Sequence, residues 1–328
     1  HLLYPAILSE EPYPVKAYIA FRHDPMLSLP DPEAQKEAFD KLDLLVAIDA
    51  NYSETGWYAD VLLPSATYLE KSSVLTTGKG LKPQIGMRKQ AVEPRNDAKP
   101  DWWMFKSLAE RLGAGEYFKF KDMEAFWEWQ LEDTGVTVSD LEKKGFVALT
   151  DKPVWWDRLK DLKFKTPSKK IEFVSSLLAA SGIESFKPYE SPQKPDEGYY
   201  RLAFGRSPVH THGRTQNNPV LSEIMPVNQL CLNDEEARKL GVANGDRVRV
   251  TSADGSHSGT INVYVTEFIH PESVFMVHGF GRKVPWQTRG FNKGLGDYRF
   301  ETGLLGVYDP VGGANSLMEC FVKVEKAE

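Results

Sequence analysis

The residues best equipped for chemistry lie in one polar run, Gly205-Arg206-Ser207-Pro208-Val209-His210-Thr211-His212-Gly213-Arg214-Thr215-Gln216-Asn217-Asn218. Guanidinium groups make charge-assisted bonds to phosphate, and backbone N–H groups beside glycine add donors. The strand-like segment Tyr199-Tyr200-Arg201-Leu202-Ala203-Phe204 feeds this run, so a sheet would present it at its end. It reads as a loop that grips a polar ligand, or as a solvated surface loop. A second set lies in the first half, where His23-Asp24-Pro25 and Asp49-Ala50-Asn51-Tyr52 each end an apolar run. A carboxylate at the end of a parallel strand can accept from ribose hydroxyls or a guanine N–H pair. Asp49 is placed for that role, with a helix N-cap as its structural alternative. Ser53 and Thr55 offer hydroxyls to phosphate or to local turn bonding. Asp60 suits a ligand contact or a loop clamp, and His23 a contact or a rim position.

The elements that must position these groups follow from periodicity. Val15–Phe21 reads as a strand, residues 31–42 as a helix with Pro32 in its first turn, and Leu44–Ile48 as a continuous apolar strand buried on both faces. A short strand, Val61-Leu62-Leu63, stops at Pro64. Strand, helix, strand is a right-handed βαβ unit, which puts the loops after both strands on one carboxyl edge. Helices are expected at Asp101–Leu112, with Asp101 as N-cap, Trp102, Phe105, Leu108 and Leu112 on one face and Gly113 as the stop, and at Met123–Leu131. The aromatic stripe Phe126, Trp127, Trp129 reads as core. A Pro- and charge-rich stretch, Lys187–Gly198, is an exposed linker and the expected domain boundary. Beyond it a helix at Asp234–Leu240 precedes Gly241, and Asp246–Thr251 and Gly259–Val265 flank an Asp254-Gly255 turn as a hairpin. With Ser273–Val277 and Glu319–Val324, these short strands suggest a closed barrel.

Composition narrows the function classes. At 328 residues the chain suits about two domains, and a net charge of −6 argues against a general nucleic-acid binder. The eight Trp are scattered or adjacent, as in Trp102-Trp103 and Trp155-Trp156, which fits core corners better than a stacking platform. No apolar run reaches membrane-span length. The start, His1-Leu2-Leu3-Tyr4-Pro5, has no basic n-region, and suits a processed protein or a fragment. Cys231 and Cys320 have no neighbouring ligand at metal spacing, so no iron–sulfur or thiolate zinc site is expected within this chain; they form a disulfide or two buried thiols.

The block Asp49-Ala50-Asn51-Tyr52-Ser53-Glu54-Thr55-Gly56-Trp57-Tyr58-Ala59-Asp60-Val61-Leu62-Leu63-Pro64 resembles the D-x-x-x-T-E-T-A-x-x-A-D-V-V-L-P signature of the molybdopterin oxidoreductases of the dimethyl sulfoxide reductase family. Tyr68-Leu69-Glu70, the Ala237–Val250 segment and the Gly205–Asn217 loop fit in the same order. Ser53 replaces the usual Thr and Gly56 the usual Ala. Val277-His278-Gly279-Phe280-Gly281 and the Trp-rich middle look most like thiosulfate and polysulfide reductase catalytic subunits. The family's Cys-rich iron–sulfur motif and its metal-ligand segment are not matched, so the resemblance is to the C-terminal portion only.

The resemblance implies a partial Rossmann-like α/β region with a helical return segment over residues 1–190 and a double-psi β-barrel, the dinucleotide-binding domain, over 191–328. It implies a bis(guanylyl-molybdopterin) cofactor carrying Mo or W. His23, Asp24, Asp49, Ser53, Thr55 and Asp60 would lie toward it from the first region. Arg206, His210, His212, Thr215 and Asn217 would do so from the barrel, and Asn315, in Gly312-Gly313-Ala314-Asn315-Ser316, would reach pterin nitrogens. Its own residue reading makes Asn315 equally a turn residue. Asn228 and Gln229 are weaker candidates. His278 reads as an acid or base facing substrate, or as a buried histidine bonded to a backbone carbonyl. Arg282, Lys283 and Arg289 attract an anionic substrate or form a solvated loop. Expected partners are the N-terminal part of the same subunit, an iron–sulfur electron-transfer subunit and a membrane-anchor subunit in a periplasmic or other extracytoplasmic, membrane-associated complex of anaerobic respiration; the chain alone is expected to be inactive. Alternatives are a stand-alone pterin- or nucleotide-binding module, or part of a formate dehydrogenase, nitrate reductase or arsenate reductase.

Overall fold

The computed structural model describes residues 2–153, 162–185, 188–309 and 311–327. Trp155-Trp156 and Lys187, the first residue of the expected linker, lie outside the described residues. The chain forms two compact units, His1–Ser65 with Gln193–Glu328, and Ala66–Pro192. Residues 1–65 thus group with the barrel, whereas the sequence reading joins them to the segment that follows.

The first unit opens with α1 (Leu3–Ser9), β1 (Ala17–Phe21), α2 (Pro25–Ser28), α3 (Pro32–Asp40), β2 (Leu44–Asp49), α4 (Glu54–Tyr58) and β3 (Val61–Pro64). The three strands form a parallel sheet in the order β1-β2-β3. Register pairs Phe21 with Ile48 and Asp49 with Pro64, so the three carboxyl ends share one edge. Leu45, Val46, Ala47 and Ile48 are all buried, as a parallel strand covered on both faces requires. Tyr4, Ile7, Ala38, Phe39 and Leu45 form the core on one face, where Tyr4, Tyr18 and Phe39 pack ring to ring.

The second unit carries a small antiparallel sheet of β4 (Thr76–Gly78), β5 (Gln84–Gly86) and β6 (Phe146–Ala148). It also carries α5 (Asp101–Arg111), α6 (Met123–Leu131), α7 (Val138–Lys144) and α8 (Ser176–Ala180). Two expectations change here. Pro100, not Asp101, is the N-cap of α5, because the Asp101 carboxylate is drawn into an ion pair with Lys71 at 2.7 Å. Met104 is the buried residue of α5, while Leu108 and Leu112 are exposed. On α6, Trp127 enters the core with Leu131 and Leu141, but Trp129 is 45% exposed.

The chain returns to the first unit as β7 (Tyr199–Gly205), α9 (Pro219–Ile224), β8 (Leu230–Asn233), α10 (Asp234–Leu240), β9 (Arg247–Ser252), β10 (Ser258–Thr266), β11 (Ser273–Val277) and β12 (Phe321–Lys326). Six strands close a barrel in the order β10-β8-β11-β7-β12-β9. Pairs β7/β11 and β8/β10 are parallel and the rest antiparallel. This is the expected double-psi β-barrel. Alternating burial on β9 sends Val248 and Val250 inward against Leu202, Leu230, Val263, Val274 and Val322, all fully buried. Each such side chain contributes about 1.5–3 kcal/mol. Gly241 ends α10 in the left-handed conformation, as its position predicts. Cys320 is buried, Cys231 half-buried, and both are free thiols. A rigid barrel therefore carries two long excursions, residues 206–229 and 278–320.

Candidate functional site

The shared strand edge of the α/β segment is held by its own polar residues. Asp24 accepts from the Thr55 amide at 2.9 Å, the Thr55 hydroxyl at 2.8 Å and the Glu54 amide at 3.3 Å. Ser53 caps α4 by accepting from the Gly56 amide at 3.0 Å. These bonds satisfy the first amides of a helix too short to stand alone. Asp60 accepts from the Leu45 amide at 2.7 Å and so clips the start of β3 to β2. Asp49 accepts from the Ala50 amide at 2.7 Å and the Asn51 amide at 3.4 Å, and burial pushes its carboxyl above the ordinary range. Because Ser53 is the N-cap, Asp49 is not, and its structural role in the fold is this local turn bonding. His23 accepts from or donates to the Tyr18 hydroxyl at 2.9 Å, and burial lowers its basicity.

The barrel loop divides in two. His210 is 3% exposed, with Nδ1 3.1 Å from the Thr215 hydroxyl and Nε2 2.8 Å from the Met225 carbonyl. Thr215 also accepts from the Thr211 amide at 2.9 Å, and Asn217 from the Arg289 amide at 2.9 Å. These three residues brace the loop. Arg206, His212 and Arg214 are exposed instead, and neither arginine has a carboxylate partner among the described residues. His212 takes the left-handed conformation (φ 48°). Its imidazole is held below the usual range by partial burial first, then by the charges of Arg206, His278 and Arg214.

The excursion after β11 presses on this loop. A Cβ at Gly279 (φ +95°) would come within 2.5 Å of the His212 carbonyl, so glycine is required there. Gly213 in turn abuts Leu27 of α2, where an added Cβ would meet Leu27 Cδ2 at 2.3 Å. The polar loop thus meets the α/β segment within one unit. Asn228 donates to the Val277 and Leu295 carbonyls at 2.9 and 2.8 Å and accepts from the Leu295 amide at 2.9 Å, fixing the excursion. Glu54 accepts from the Lys283 amide at 3.0 Å, and the Gln287 amide donates to the Tyr52 carbonyl.

Arg282 departs from both sequence readings. It is buried, with NH1 3.9 Å from Asp24 and 4.0 Å from Glu54, and its Nε and NH1 have no hydrogen-bond partner among the described residues. His278 departs from the second of its sequence alternatives, because its partner is a carboxylate rather than a backbone carbonyl. Its Nδ1 lies 2.6 Å from Asp297 Oδ2, and its side chain is 13% exposed. Desolvation lowers the imidazole, the bond and charge of Asp297 raise it, and the net direction is upward. Asp297 and Glu301, both buried, are missing from the sequence candidates. The available signal was the pair of carboxylates interleaved with apolar neighbours in Asp297-Tyr298-Arg299-Phe300-Glu301.

Asn315 donates to the Val307 carbonyl at 3.3 Å and pairs with Tyr308 in a single bridge. Because β12 runs antiparallel to β7, with Phe321 opposite Arg201, the chain enters β12 from the end at which β7 delivers Arg206. The Gly205–Asn217 and Gly312–Ser316 segments therefore serve the same end of the barrel. Among the described residues, no three His, Cys, Asp or Glu side chains form a metal-ligand group, and no helix is long and apolar enough to cross a membrane.

Comparison with known proteins places these features. Residues 5–111 match the molybdopterin oxidoreductase family model, and residues 200–321 match the molydopterin dinucleotide binding domain. The thiosulfate reductase molybdopterin-containing subunit PhsA of Salmonella typhimurium is 32% identical over 316 residues, covering 88% of this chain and 41% of that protein. The F420-dependent formate dehydrogenase subunit alpha of Methanocaldococcus jannaschii is 28% identical over 289 residues, covering 85% of this chain and 41% of that protein. The structure of acetylene hydratase from Pelobacter acetylenicus superposes with a TM-score of 0.82 at 21% identity, over 99% of this chain and 46% of that one, which shows the shared fold. The chain spans about two-fifths of the length of the curated relatives it matches. With its signature block folded as the strand edge and its second half closed as the dinucleotide-binding barrel, the chain belongs to the molybdopterin oxidoreductases.

Proposed function

We propose that this chain is the cofactor-binding C-terminal part of a bis(guanylyl-molybdopterin) oxidoreductase with Mo or W, whose parent enzyme reduces thiosulfate or polysulfide. The observation that carries the reading is the group of exposed Arg206, His212 and Arg214, without carboxylate partners among the described residues, at the barrel end that meets the α/β strand edge. A dinucleotide with two pyrophosphates and two pterins needs such donors, and the planar fork of arginine suits phosphate oxygens. The residues present fit the group: a buried guanidinium with two orphaned nitrogens and a glycine-tight loop contact lie beside these donors.

Arg206 and Arg214 would hold pyrophosphate, His212 and Asn315 the pterin edges, and Asp49 the guanosine end. His23, Asp24, Ser53, Thr55, Asp60, His210, Thr215 and Asn217 would support them by setting the loop backbones. When bound, the metal–dithiolene group supplies the two-electron chemistry, and the protein orients and tunes it. The N-terminal part of the subunit, an iron–sulfur electron-transfer subunit and a membrane anchor complete the complex in this reading, at an extracytoplasmic site. The 28% identical formate dehydrogenase subunit supports a second reading with formate as substrate.

The test is extraction of guanylyl pterin with metal analysis on the native protein that carries this chain, followed by reduced-viologen oxidation with thiosulfate, polysulfide and, in the reverse sense, formate as reductant. Recovery of guanylyl pterin with turnover on a sulfur anion is the expected result. Turnover on formate alone would favour the second reading, and absence of any pterin would leave a stand-alone binding module. The chain by itself is expected to show no turnover at about 1 per second or above.

A further inference from the structure

His278 is unlike the other histidines of this face. Its Nδ1 is bonded to Asp297, while Nε2 has no partner among the described residues and the side chain retains 13% exposure. Its ring stands 6.0 Å from that of His212, edge to face, and 5.7 Å from that of Phe204. The groups around it come from every neighbouring segment. Asp297 is bonded to it and the His212 ring stands edge to face with it; Arg282 acts on its charge, Arg206 and Arg214 on that of His212, and Glu301 interacts with Asp297, Asp31 and Cys320.

A second buried carboxyl, Glu301, interacts with Asp297. Asp297 is fully buried and its Oδ1 has no N–H or hydroxyl partner. The Glu301 carboxyl, 2% exposed, faces it. Two carboxylates cannot both ionise in one buried site, so one takes the proton. Desolvation first, then the charge of Asp297, pushes Glu301 up to about 9. The bonded pair is Asp297 Oδ2 and His278 Nδ1 at 2.6 Å, which leaves His278 Nε2 without a partner among the described residues.

We propose that Asp297 is a positioning residue that fixes the His278 ring through Nδ1, so that His278 Nε2–H binds an anionic group of the ligand held by Arg206, His212 and Arg214. The inference rests on the cofactor-binding reading for the identity of that ligand, and on this chain alone for the His278 state. An anion bound at Nε2 favours the protonated ring, and the bond from Asp297 to Nδ1 acts in the same direction.

Histidine-selective ¹³C NMR of the full-length protein tests it, with inorganic pyrophosphate as the anionic probe. The expected result is a His278 titration midpoint above 6.5 that rises further on adding pyrophosphate. Asp297→Asn should lower that midpoint by about 1–3 pH units, the effect of losing an adjacent opposite charge. Glu301→Gln, which keeps a neutral donor against Asp297, should leave it unchanged and guards against a variant that fails to fold. A midpoint insensitive to Asp297→Asn, a fall in Glu301→Gln, or no response to pyrophosphate would overturn the proposal. A normal His278 signature in a protein that yields no guanylyl pterin would instead refute the cofactor reading and leave the positioning role intact.

Discussion

The signature block of the α/β segment and the polar loop of the barrel carry similar residue types and use them in opposite ways. In the block, Asp24, Ser53, Thr55 and Asp60 bond to backbone amides and to one another, so their polar atoms are occupied within the fold. In the barrel loop, His210, Thr215 and Asn217 brace the turn while Arg206, His212 and Arg214 remain exposed. A family signature therefore marks scaffolding as much as contact: the most recognisable letters build the edge, and less regular ones supply the free donors.

Mutation breaks or sharpens this contrast. The largest effect is expected from Asp24→Ala, which strips the Thr55 amide and hydroxyl of their acceptor and leaves Arg282 with Glu54 alone. A loss of about 3 kcal/mol in denaturant unfolding should follow; a neutral variant would show that the block is not scaffolding. Arg206→Ala should leave the melting temperature in place, since the side chain is exposed, while cofactor loading of the full-length parent falls about 10–100-fold, the loss of one charge-assisted contact. Equal loading would end the division of labour drawn here.

The acid pair behind His278 should show in the pH dependence of stability. Glu301 and His278 both titrate higher when folded than their ordinary values of 4.5 and 6.5. Their contribution is complete below those values and is lost as pH rises through the folded ones. Stability should thus decline from pH 4.5, where Glu301 alone begins to lose its contribution, toward pH 9, by up to about 1.4 kcal/mol per pH unit for each group inside its window. Glu301→Gln should flatten the decline, which melting curves across that range would reveal. The smallest change is expected from Asp49→Asn. Its remaining oxygen can still accept from Ala50 and Asn51, so stability should move by less than about 0.5 kcal/mol. Guanylyl over other-nucleotide loading should fall about tenfold if the carboxylate reads guanine, and unchanged loading would make Asp49 a turn residue only.

Periodicity and turn chemistry carried far in this sequence. The apolar run Leu44–Ile48, the Asp254-Gly255 hairpin and the Gly241 stop all fold as their local physics dictates. Local patterns did not show which partner a carboxylate takes, as when Lys71 claims Asp101. Nor did they show that Arg282, read as loop, is buried, or that the buried Asp297 is the partner of His278. Hydrogen-bond period and backbone propensity act within a few residues, so strands, turns and the barrel's pattern are determined by the sequence alone. Burial and charge pairing join residues as distant as Glu54 and Lys283. Which polar group is a brace and which is a free donor was therefore decided only when the tertiary structure brought them together.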